Sequence, residues 1–291
     1  ENRMKKILLF IFMLVLGTVS FAENIVITSI QPLYSLTSYL TKGTDIKVYT
    51  PFGSDISMTM SKEAIREEGF DLSVAKKAQA VVDIAKVWPE DVIYGKARMN
   101  KINIVEIDAS YPYDEKMTTI FFSDYSNGNV NPYIWTGSKN LVRMVNIISR
   151  DLIRLYPQNK AKIEKNVNKF TNDLLKIENE ANEKLLSVDN VSVISLSENL
   201  QYFLNDMNIY AEYVDYDSIT AENIANLVRD KGIKVVISDR WLKKNVIKAL
   251  KDAGGEFVII NTLDIPMDKD GKMDPEAILK AFKENTDNLI E

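Results

Sequence analysis

The 291-residue chain contains no cysteine and no histidine. Without cysteine there are no disulfides, thiolate metal centres or thiol nucleophiles, so packed apolar cores must hold the fold. Without histidine there is no imidazole to bind a metal, serve a nucleophile triad or shuttle protons near neutral pH. Glycine and proline are sparse, 11 and 8 residues, with no rich stretch to read as a linker and no repeat at a solenoid period. Neither a G-x-S-x-G nor a G-x-x-x-x-G-K-[ST] segment occurs, which leaves only carboxylate pairs for acid–base work. A binding protein is expected rather than an enzyme. A basic excess is also missing: the net charge of −5 argues against nucleic acid or an anionic membrane surface as partner.

Long apolar runs are confined to the N-terminus. Lys5 and Lys6 precede an apolar stretch over 7–16, and the small residues Ser20 and Ala22 fit the −3 and −1 positions of a signal-peptidase site. The stretch 7–22 is shorter than the roughly 20 apolar residues a spanning helix needs. Residues 1–22 are therefore expected to be a signal peptide cleaved after Ala22, which makes the mature protein periplasmic. No cysteine follows Ala22 to carry a lipid, so a soluble form is expected. The mature chain would hold 33 basic and 40 acidic residues, a balance compatible with a cationic ligand.

With 46% apolar and 26% charged residues the chain can fold into two lobes of ordinary size. Short β-rich runs over 24–28, 45–50, 80–85 and 102–107 alternate with helical patterns over 32–40 and 61–77, the latter broken near Gly69. The second half repeats this style, with strands over 191–196, 209–214, 234–238 and 257–261 and helices over 199–205, 221–231, 242–253 and 275–289. The pattern predicts an α/β fold of two lobes, each a parallel sheet flanked by helices. Between them Ile163, Val167, Phe170, Leu174, Ile177, Ala181 and Leu185 form one helical stripe. A helix over 159–186 would run roughly 42 Å, long enough to bridge the lobes and stiff enough to restrict them to a small tilt. The expected organisation is an N-terminal lobe over 23–158, a bridging helix over 159–187 and a C-terminal lobe over 188–291. Ligand would then bind between strand C-termini of both lobes.

Four segments resemble the zinc- and manganese-type metal-binding solute-binding proteins of ABC importers, the cluster A-I family. They are Ile25-Val26-Ile27-Thr28-Ser29-Ile30-Gln31-Pro32-Leu33-Tyr34, Pro51-Phe52-Gly53-Ser54-Asp55-Ile56-Ser57, Asn131-Pro132-Tyr133-Ile134-Trp135, and Ser197-Glu198-Asn199-Leu200-Gln201-Tyr202-Phe203. The resemblance implies a monomeric capture subunit that delivers a divalent metal, Mn or Zn, to an ABC permease and its ATPase. It also implies a site of three histidines and one acidic residue. Those positions are Ser57, Tyr133, Ser197 and Asp264 here, with Asp239 taking the acidic place under a shifted register.

Zinc prefers imidazole and thiolate, so this substituted set leaves three readings. A harder cation could be held through oxygens of Asp55, Asn131, Tyr133, Glu198, Asp239 and Asp264. A small organic or metal-chelate ligand could be hydrogen-bonded there with Trp135 as a wall. Or the site could be silent in a structural or regulatory protein. Met58 and Met60 offer two thioethers to a soft metal, or pack as core. Trp88 and Trp135 read as core, 110–115 as a surface loop, 122–129 as a flap over the site, and 268–272 as a turn.

Overall fold

The computed structural model describes residues 23–114, 116–188 and 191–290; the expected signal peptide lies outside them. The first lobe runs β1 (Asn24–Thr28), α1 (Gln31–Leu40), β2 (Ile46–Tyr49), α2 (Met58–Arg66), β3 (Ala80–Asp83), α3 (Ile93–Asn100) and β4 (Val105–Asp108). Its four strands are all parallel, in the order β2-β1-β3-β4. Pro32 sits in the first turn of α1, where its missing N–H costs no hydrogen bond. Helix α3 carries only two buried residues, Ile93 and Ala97, too short a stripe to stand out in the sequence.

Two long helices follow, α4 (Ser138–Leu155) and α5 (Lys160–Leu185). The second lobe then repeats the plan with β5 (Ser192–Ser195), α6 (Gln201–Asp206), β6 (Tyr210–Tyr213), α7 (Ile224–Lys231), β7 (Val235–Ser238), α8 (Lys244–Asp252) and β8 (Glu256–Ile259). Its sheet is again parallel, in the order β6-β5-β7-β8. A two-stranded hairpin, β9 (Asp268–Lys269) with β10 (Lys272–Met273), and a closing helix α9 (Ala277–Ile290) complete the chain. Asp270 and Gly271 turn that hairpin at φ 57° and 74°, the left-handed pair that a type I′ turn requires.

Helix α5 is the bridging strut. Its stripe is buried at Ile163, Phe170, Leu174 and Ala181, with Val167, Ile177 and Leu185 packed against the same core. The Phe170 ring meets Tyr39 of α1 edge-on at 5.2 Å. Helix α9 lies along α5 and touches α1. The segment before it is bound to the first lobe: Gln31 Nε2 donates to Asp274 O (2.9 Å), Ser35 Oγ to Pro275 O (3.1 Å), and Gly53 bridges Lys272. The chain therefore returns to its first lobe after building the second, and the strut is clasped from both sides.

In both sheets the strand order reverses beside the first strand, and a crevice opens at the C-terminal edge there. In the first lobe two buried acids stand near that edge. Asp83 is fully buried, and among the described residues neither carboxylate oxygen has a hydrogen bond of good geometry. Asp91, also buried, accepts from Ser29 Oγ (2.7 Å) and the Ile84 amide (3.4 Å). Burial and the neighbouring Asp91 and Asp108 charges push Asp83 well above the ordinary carboxylate range, and burial raises Asp91 to about 6. Folded-state values above unfolded ones mean that the fold binds extra protons in that window, so stability from this pair falls as pH rises through it. The melting temperature should rise as pH falls from 7.5 to 5, and Asp83→Asn should flatten that slope while raising stability at pH 7.5, by about 2–4 °C for each kcal/mol gained. Thermal melts of both proteins across that range check this.

Candidate functional site

In the second lobe the equivalent crevice is open. A cavity of about 1180 Å³ spans the C-terminal ends of β5, β6, β7 and β8 and is lined also by Tyr133 of the first lobe. Ser197 follows β5 and Asp239 follows β7, the two strands that flank the reversal. Ser197 Oγ donates to Asp239 Oδ2 (2.9 Å) and accepts from the Asn199 amide (3.2 Å). Asn199 Nδ2 donates to the same Asp239 oxygen at 2.7 Å. The other oxygen, Oδ1, is buried without a hydrogen-bond donor among the described residues, and the Arg240 guanidinium stands 4.0 Å away from it. That contact is too long to satisfy it.

Asp264 enters from the opposite side on the loop after β8. Leu263 before it is held at φ 59°, a left-handed conformation that costs a residue with a side chain about 1–2 kcal/mol. Three contacts hold the loop in place. Leu263 N donates to Asn261 Oδ1 (2.9 Å), Trp135 Nε1 donates to Thr262 O (2.7 Å), and the Met58 amide donates to Asp264 O (2.9 Å). Tyr133 OH donates to Asp264 Oδ1 at 3.3 Å. Burial raises the Asp264 carboxyl, the Tyr133 bond opposes this, and the Asp239 charge adds to it. Burial first, and then the Asp264 charge, drives the Tyr133 phenol far up, so it is a neutral donor at physiological pH.

The segment 123–131 is hydrogen-bonded to the second lobe. Tyr125 OH donates to Asn199 Oδ1 (2.6 Å), the Ser126 amide to Glu198 Oε2 (2.8 Å), and Asn131 Nδ2 to Glu198 O (2.9 Å). Tyr202 OH accepts from the Ser123 amide and donates to Asn131 O, both at 2.9 Å.

The structure thus brings Tyr133, Ser197, Glu198, Asp239 and Asp264 to one cavity. The remaining expected residues lie elsewhere. Ser57 caps α2, its Oγ accepting from the Met60 amide at 3.2 Å, and Asp55 is exposed on the preceding loop; neither lines the cavity. Asn131 is fully buried and positions Tyr133 by accepting from its amide at 2.9 Å. Trp135 is not a cavity wall: it lies in the core with its ring 5.2 Å from that of Tyr133. Met58 is buried while Met60 faces solvent, since neighbours two apart on a helix diverge, so the two thioethers do not converge. The aromatic wall that the sequence reading missed is Tyr213, Tyr216 and Trp241, which follow or end β6 and β7. Their place at or just past strand C-termini was the available signal. Burial, then the Glu198 charge, pushes the Tyr213 phenol up to about 12.

A family model for ZnuA, the periplasmic component A of zinc-uptake complexes, matches residues 26–291. The chain belongs to this family. It is a binding protein of the metal-binding, periplasmic solute-binding class, not an enzyme. Among solved structures it is similar to ZnuA (17% identity, 92% of this chain and 99% of that one, TM-score 0.66). It is similar also to the solute-binding protein FpvC from Pseudomonas aeruginosa in complex with Mn²⁺ (15%, 92% and 97%, TM-score 0.68). A third is a Mn-bound point mutant of a periplasmic metal-binding protein from Candidatus Liberibacter asiaticus (14%, 92% and 98%, TM-score 0.69). At these identities the likeness establishes the two-lobed fold. No curated sequence matches the chain. Among the described residues no helix is long and apolar enough to cross a membrane.

Proposed function

We propose that the chain is the capture subunit of an ABC-type uptake system, exported to the periplasm by a cleaved signal peptide, and that it hands a divalent cation to a permease driven by an ATPase. The observation that carries this reading is the meeting of Asp239, Asp264 and Tyr133 at one cavity with Asp239 Oδ1 buried and undonated. A buried carboxylate oxygen with no hydrogen-bond donor, its one guanidinium 4.0 Å away, favours a further positive charge. Five carboxylates line the cavity against a single guanidinium, so the local field favours a cation. The donors are carboxylate, phenol and hydroxyl oxygens, which suit Mn²⁺ better than Zn²⁺. The Mn-bound proteins of the same fold support the same class of cargo.

The test is metal content by mass spectrometry on untagged mature protein, because a polyhistidine tag would supply the imidazoles this chain lacks. Close to one manganese per chain, lost in Asp264→Ala, is the expected result. No metal after incubation with Mn²⁺ and Zn²⁺ would sink the reading.

A further inference from the structure

We infer that the cation enters this cavity already wrapped in a small organic ligand, so that the cargo is a neutral or positively charged metal chelate rather than a bare ion. The inference rests on the cation reading above and adds to it the substrate class. Three observations carry it.

The first is the number of donors. A divalent ion in oxygen surroundings takes about six ligands, yet among the described residues no three acidic side chains converge closely enough to hold a metal ion. Asp239 Oδ2 is already occupied by Ser197 and Asn199, and Asp264 Oδ1 by Tyr133. One oxygen of each carboxylate remains. The rest of the coordination sphere must come from elsewhere.

The second is volume. An ion with its first shell of oxygens at about 2.2 Å fills roughly 200 Å³, a small part of a cavity of about 1180 Å³. That space is of the size that takes organic ligands of several rings.

The third is the wall. Trp241 is 68% exposed at the cavity, an unusual position for an indole in a binding protein unless something packs on it. Its ring lies 5.8 Å from Phe257, and Tyr216 OH ties down its backbone carbonyl at 2.7 Å. Tyr216 is itself covered by Arg240 at 3.9 Å. Together with Tyr213 these residues make an aromatic side of the cavity at the loops after β6 and β7. The acidic floor repels an anionic chelate, so the organic shell has neutral donors, and its flat or apolar part stacks on the indole while the metal faces Asp239 and Asp264.

Calorimetric titration of the untagged mature protein decides this with three probes: MnCl₂, an equimolar Mn²⁺–bipyridine complex, and bipyridine alone. The complex is expected to bind at least about tenfold tighter than Mn²⁺ alone, the gain from stacking a desolvated cationic complex on indole and phenol. Bipyridine alone should show no comparable binding. Trp241→Ala, an exposed position where truncation leaves the core intact, should bring the ratio between complex and free metal close to one. Equal affinity for complex and free Mn²⁺ in the unaltered protein would overturn the inference while leaving the cation reading standing. Bipyridine alone binding as tightly as its complex would overturn it as well, in favour of an organic solute. No heat with manganese in either form would bring down the cation reading itself.

Discussion

Asp239→Ala is expected to lower affinity for Mn²⁺ at least about thirtyfold with the fold intact. Among the described residues Asp239 is the only cavity carboxylate with an oxygen both buried and undonated, and its side chain is only 8% exposed. Its second oxygen is held by Ser197 and Asn199, so the free oxygen is presented rigidly and no reorganisation is needed when a cation arrives. Losing one such charge at a partly desolvated site costs about 2–3 kcal/mol, which is the stated factor. The folding cost is partly offset: the Ser197 and Asn199 donors lose their acceptor, but the buried charge disappears with the carboxylate. Asp239→Asn should lose most of the same affinity while keeping the volume, which separates charge from shape. Titration of both variants, with circular dichroism to check the fold, gives the answer. If both bind Mn²⁺ like the unaltered protein, Asp239 is structural and Asp264 alone carries the cation.

Trp135→Ala is expected to be the most destabilising single change near the site. The indole is buried to 2% exposure in the main core, against Tyr133. Its truncation should cost about 3–5 kcal/mol, or roughly 10 °C in melting temperature at about 2–4 °C per kcal/mol. It also removes the bond from Nε1 to Thr262 O, one of the contacts through which the first lobe holds the loop bearing Asp264. Trp135→Phe keeps most of the packing and loses chiefly that bond, about 1 kcal/mol. Its signature should be a modest drop in stability with a larger loss of cation affinity, because Leu263 is held in a strained conformation that relaxes once the loop is released. A Trp135→Phe protein with unchanged affinity would show that the loop is held without the indole bond, by the Met58, Tyr133 and Asn261 contacts.

Much of this protein could be read from the chain itself. Short β-rich runs and an unbroken helical stripe are local signals, since they arise from each element and need no partner. Hence Ile163, Phe170, Leu174 and Ala181 declared the strut, and the alternation of strands and helices declared two parallel sheets. The absence of histidine and cysteine confined any metal site to oxygen and thioether donors before any fold was known. Tertiary structure decided what depends on residues far apart in sequence. Asp239 and Asp264 both followed strands, yet only the pairing of β7 with β8 places them on one cavity, which Ser57, the cap of α2, does not line. The sequence reads Trp135 as core and does not decide Trp241. One became core because its indole N–H found the Thr262 carbonyl, the other a cavity wall because it lies just past a strand end where the sheet order reverses. Burial of that kind is a property of the assembled lobes, and no period in the sequence encodes it.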